Sequence, residues 1–184
     1  MSFPTTPAFV NNQVGWTPEL RAHPAIDWLY KHVTSVFDDR TWDIDATTLL
    51  TSDFVLRKPD GALVNGAQAG WDAQKEIYSL FKAQYHQPTG AIVVETESGW
   101  EMMGKADLYV NVLGEPGAGE VKVKDATGKE WDAMCVGMFR FVFTKDPQGK
   151  DGIKMARSEM ASDGVPALRL LLKRGAFKAE ALMA

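Results

Sequence analysis

The chain has 184 residues, a formal net charge of −4, 45% apolar side chains and 24% charged ones. That is the make-up of one globular domain, large enough to bury a core without disulfides or metals. It lacks the positive footprint that nucleic acid requires, and no apolar run approaches the ~20 residues that cross a bilayer. Neither nucleic acid nor a membrane is therefore expected as a partner. The single cysteine, Cys135, lies in the apolar run 134–138 and reads as a buried, inert thiol. With no disulfide to form, the chain suits a reducing, cytoplasmic compartment. Its first residues do not show the basic-then-apolar order of a signal peptide.

Residues 1–23 are rich in Pro, Thr and Asn, with Trp16 as a large anchor. They read as an irregular arm laid on a single domain that fills 24–184. A helix starts at Pro24, a residue suited to a first turn. Its apolar stripe is Ile26, Leu29, Tyr30, Val33, Val36 and Phe37, and it ends near Asp38-Asp39-Arg40. Residues 43–50 suggest a second short helix capped by Asp43. A strand over 53–58 comes next, then a Pro59-Asp60-Gly61 turn and a return strand over 62–65. Gly66 breaks it, and Trp71, Gln74, Tyr78 and Phe81 mark the inner face of a third helix.

The rest is mostly strands: 91–96, a long one over 100–113, another over 131–143, and a last one over 153–161. Clean alternation in the long strand puts Met102, Ala106, Leu108 and Val110 on one face. Lys105, Asp107, Tyr109 and Asn111 fall on the other, with solvent as their expected neighbour. The glycine-rich excursion 114–129 suggests a small hairpin around Val121 and Val123. A closing helix spans 166–174, and its apolar side predicts a lid over a pocket. Helices first and antiparallel strands later define an α+β fold. The 131–143 strand is apolar on nearly both faces, so the outer face of the sheet is expected to form a homodimer contact.

The element order resembles the nuclear-transport-factor-2-like superfamily, above all its SnoaL-like polyketide cyclases and scytalone dehydratase. Phe37-Asp38-Asp39-Arg40-Thr41-Trp42, Asp53-Phe54-Val55-Leu56-Arg57, Asp60-Gly61, Gly66-Ala67 and Tyr85-His86 carry the likeness. It implies a cone-shaped fold, with a curved sheet wrapped around the N-terminal helices and a pocket for a small hydrophobic molecule. It also implies that Asp38 and His86 form an acid–base pair there. The tyrosines that activate water in scytalone dehydratase have no counterpart: Phe37 stands at one place, and Arg57 or Lys58 near the other. A second histidine of that enzyme falls near Asn111.

Histidine takes and gives protons near neutral pH, so His86 is the leading candidate; the competing reading is a capping histidine at a loop–strand junction. On a regular helical wheel Asp38 lies off the apolar stripe, and it reaches a pocket only if the helix ends or unwinds there. Arg140, Arg157 and Glu159 stand in apolar strands, where charges need partners. Two readings stay open for them: a cross-strand ion cluster, or a group that orients a substrate oxygen. Asn111 is a further candidate for substrate binding. No His-x-His, cysteine pair or His-Glu-x-x-His occurs, and the glycine-rich stretch precedes a strand rather than a helix, so neither metal nor cofactor is expected. Two functions fit these residues: a cofactor-independent dehydratase, cyclase or isomerase acting on an apolar oxygenated ring, or a non-catalytic ligand-binding or docking module. An enclosed cavity where His86 meets a carboxylate favours the first, and a filled interior the second.

Overall fold

A computed structural model describes residues 8–182. Its main sheet has seven strands: β1 (Ala8–Asn11), β2 (Leu50–Arg57), β3 (Leu63–Asn65), β4 (Phe81–Glu95), β5 (Gly99–Val112), β8 (Ala133–Lys145) and β9 (Ile153–Ser162). They lie in the order β1-β4-β5-β8-β9-β2-β3. Every neighbouring pair is antiparallel except β2 and β9. A separate two-stranded ribbon, β6 (Val123–Lys124) with β7 (Glu130–Trp131), occupies the excursion.

Alternation decides what each face does. Met102, Phe141, Phe143 and Met155 point inward and join the main core with Ile26, Leu29, Phe37, Phe54 and Trp71. The first helix, built from α1 (Pro24–Leu29), a π segment (Tyr30–Thr34) and α2 (Ser35–Asp38), covers this face together with α3 (Ala67–Tyr78). The last helix, α4 (Val165–Lys173), buries Ala167 and Leu171 on Val110, Val112, Ala133 and Cys135 in a second core. Cys135 is buried and free, and burial pushes its thiol pKa up.

Several expectations change. The arm is not irregular throughout: Ala8–Asn11 pairs with Ala91–Val94 as an edge strand. Residues 43–50 hold a single 3₁₀ turn, Ala46–Thr48, capped by Asp45 rather than Asp43. β4 begins ten residues before the expected strand and takes in His86, and Phe81 belongs to it rather than to α3. The closing helix lines no part of the cavity beside His86, so it is not a lid. Its buried face packs on the far end of the sheet, and Arg174 at its end ties it there.

Candidate active site

Asp38 owes its position to two irregularities of the first helix. In the π segment the Ser35 N–H donates to Tyr30 O, one residue further back than in an α-helix. The extra residue sets back the last turn of the helix by about 100° of rotation, which brings Asp38 from the solvent side toward the core. The helix then stops in a Schellman motif: Thr41 N–H donates to Val36 O at 2.9 Å and Arg40 N–H to Phe37 O at 3.1 Å. Arg40 takes the left-handed conformation at φ 56°. Its guanidinium donates to Phe81 O at 2.7 Å and to Gln84 Oε1 at 3.2 Å, while the Gln84 amide donates to Phe37 O. The helix end is thereby pinned to β4.

His86 stands on the inner face of β4, opposite Leu108 of β5. Asp38 grips it twice: Oδ1 lies 2.6 Å from Nδ1, and Oδ2 accepts the His86 backbone N–H at 3.2 Å. On the other side of the ring, the Tyr78 hydroxyl lies 2.9 Å from Nε2. A carboxylate can only accept, so Nδ1 carries a proton, and in the neutral ring Nε2 is left as an acceptor for the phenol. Burial, reinforced by the charge of Asp38, pushes the Tyr78 pKa far up, so the phenol stays protonated and donates. Trp16 completes the frame: its indole N–H donates to His86 O at 2.8 Å, and Gly15 N–H donates to Pro88 O at 2.8 Å.

Tyr78 and His86 open onto a cavity of about 130 Å³ whose walls are mainly apolar, with Phe37, Leu108, Phe139, Phe141 and Met160 among them. Exposed Pro59, Met138 and Ala161 form its rim. Asp38 does not line it and stands behind His86. Among the described residues no group of three or more His, Cys, Asp or Glu side chains is placed to hold a metal ion, and no helix is long and apolar enough to cross a membrane.

The other candidate residues lie elsewhere. Arg140, Arg157 and Glu159 alternate with the inward-facing Phe139, Phe141, Ser158 and Met160, so they lie on the outer face. There Arg140 donates to Glu101 at 2.6 Å and 3.1 Å and to Glu159 at 3.1 Å, and Arg157 pairs with Glu159. Asn111 is also on the outer face, where its Oδ1 accepts the Asp132 N–H at 3.1 Å. Tyr109 does not meet solvent: it is buried beside Trp131. Tyr78 is the site residue that sequence reasoning missed. Its apolar spacing marked it as core, and only the proximity of His86 along the chain offered a further signal.

No family model matches the chain, and no curated protein matches it in sequence. Solved structures do match in fold. A scytalone dehydratase-like protein from Novosphingobium aromaticivorans superposes with a TM-score of 0.55 at 12% identity, covering 76% of this chain and 82% of its own. A hexachlorocyclohexane dehydrochlorinase, LinA type 2, gives 0.52 at 13%, covering 78% and 86%. A SnoaL-like polyketide cyclase-type protein from Shewanella denitrificans gives 0.51 at 10%, covering 82% and 99%. The architecture is thus the α+β cone fold that these structures share. Fold-mates of this kind include proteins named as dehydratase, dehydrochlorinase and cyclase.

Proposed function

We propose that the chain is a cofactor-independent lyase or isomerase that moves a proton on a small, apolar, oxygen-bearing ring compound. The observation that carries this reading is the line of hydrogen bonds Asp38–His86–Tyr78, ending on the wall of an apolar cavity. The Tyr78 oxygen takes a proton from the substrate while its own passes to His86 Nε2. The Asp38 carboxylate holds the resulting imidazolium. The reverse transfer returns the proton to a leaving oxygen or to a different carbon, so dehydration and isomerisation both balance without an added group. Apolar walls exclude water from the exchange. The names of the fold-mates agree with chemistry of this kind.

The test is a thermal-shift screen of small oxygenated ring compounds, with turnover assays on the hits. His86→Ala should keep the thermal shift and lose about 10²–10⁴ in rate, the usual contribution of an acid–base group. Full activity in a folded His86→Ala protein removes His86 from the chemistry. The same reading includes a homodimer through the outer face of the sheet. Val10, Ile92 and Met103 form one exposed apolar row there across β1, β4 and β5.

A further inference from the structure

β2 stays beside β9 only as far as the Arg57–Glu159 pair, whereas β9 runs on to Ser162, paired with β8 as far as Gly137. Past Arg57 the chain turns through 58–61 into β3. Met160 and Ala161 therefore keep β8 on one side and, among the described residues, no strand on the other. The two faces of the sheet meet at this gap. On the inner side lies the cavity beside His86, and on the outer side a groove of about 320 Å³. Pro59, Met138, Phe139, Met160 and Ala161 line both.

The groove has a charge that the cavity lacks. Its floor is apolar, with exposed Met103 and Met138, and its flank is cationic, with Arg57, Lys58 and Arg140. In the ion cluster along this flank three guanidiniums face two carboxylates. Arg140 donates to Glu101 and Glu159, and Arg157 pairs with Glu159. Arg57 is the least engaged: its Nη1 lies 4.0 Å from Glu159 Oε2, and its side chain is 55% exposed. Lys58 and Asp60 offset each other at 3.8 Å. One positive charge is left in excess, at Arg57. Met103 also belongs to the apolar row of the dimer face, but the rest of the groove lies on the β8, β9 and β2 side, away from β1 and β4.

We propose that the substrate is a ring compound with a side chain ending in a carboxylate, and that this chain leaves the cavity through the Met160–Ala161 gap and sets its carboxylate against Arg57. The proposal rests on the reading of the cavity as the substrate site and adds the part of the substrate that lies outside it. Size requires an exit: apolar cavities of roughly 150 Å³ take up benzene, so about 130 Å³ holds a single ring and little more. The thioethers of Met138 and Met160 beside the gap suit a run of methylenes. A carboxylate carries the single negative charge that matches the excess, and it fits the planar fork of a guanidinium. With one end of the molecule held by Arg57, the ring enters in one orientation and presents the same carbon to Tyr78 each time.

The experiment compares phenylbutyrate with phenylbutanol, which has the same ring and chain but no charge. Affinities come from NMR titration of wild type and Arg57→Leu, and the spectra also follow the His86 ring and the Met138 and Met160 methyls. Wild type should favour the carboxylate about fivefold at low salt, the upper range for an ion pair open to solvent. The preference should vanish in about 1 M salt, where the Debye length is about 3 Å, and in Arg57→Leu, which should bind the alcohol as wild type does. Arg57→Lys should keep part of it. Equal affinities in wild type, or a preference that survives in Arg57→Leu, overturn the role of Arg57 and leave the cavity as a ligand site. Carboxylate binding that shifts the Met138 methyl but not the His86 ring overturns the path through the gap. Binding of neither compound overturns this proposal and the reading of the cavity together.

Discussion

Arg174 at the end of α4 is 2% exposed in its side chain, and Asp132, which it meets at 2.8 Å, is 4% exposed. The guanidinium also donates to Glu120 Oε2 at 3.1 Å and 2.5 Å and to Val112 O at 3.3 Å. Burial by itself would raise the Asp132 pKa. Hydrogen bonds from Arg174, Lys122 and the Val112 N–H overcome that and hold it well below the usual carboxylate range. Arg174→Met keeps the apolar stem and removes the charge. Breaking a buried pair from one side costs about 3–5 kcal/mol, and Lys122, which stays beside Asp132, places the loss near the lower figure. For a domain of this length about 3 kcal/mol lowers Tm by about 6–12 °C. The assay is thermal unfolding by circular dichroism at several pH values. The folded Asp132 pKa is depressed, so its contribution is complete above the unfolded value of about 4 and fades as pH falls below it. In the variant an uncompensated buried carboxyl titrates higher and sheds its charge sooner. The gap between the two proteins should therefore be widest near neutral pH and close on acidification. A Tm within about 2 °C of wild type at pH 7, or a gap that widens in acid, refutes this account of α4 as a pinned element.

Two further outcomes bear on the site and the assembly. Once a substrate is in hand, Tyr78→Phe should lose about as much rate as His86→Ala, and the double variant little more, because both residues serve one proton path. An unchanged or faster Tyr78→Phe enzyme would mean that Tyr78 only shields Nε2. Light scattering should give twice the chain mass at micromolar concentration, and Met103→Lys, which puts a charge into the exposed apolar row, should shift it to the single-chain mass. A monomeric wild type sinks the dimer.

Long strands and helices are legible where one face is uniformly apolar. β5 and β9 lie within a residue or so of their expected bounds, and α4 likewise. The first half of β4 is hidden because Lys82, Gln84, His86 and Gln87 break the pattern and Pro88 argues against a strand. Their polar groups find partners on elements distant in the chain: Arg40 for Gln84, Asp38 for His86 and Ala126 for Gln87. The position of Asp38 is hidden for a related reason. A wheel drawn at 3.6 residues per turn cannot anticipate the π segment that turns it inward. Arg140 and Glu159 do not bind substrate from the inner face, and strand parity settles this: once Phe139, Phe141 and Phe143 occupy that face, Arg140 must look outward.

The N-terminal segment does more than hold Trp16 against His86. Without β1, the outer edge of β4 would carry an open ladder of N–H and C=O groups along Ala91–Val94, which includes exposed Ile92. Such a flat, apolar margin invites the strand of another molecule. By occupying it with four residues of its own, the chain moves the open edge from the long β4 to the short β1, where little ladder is left to pair, with the same stretch of sequence that leads to Trp16 on the cavity wall.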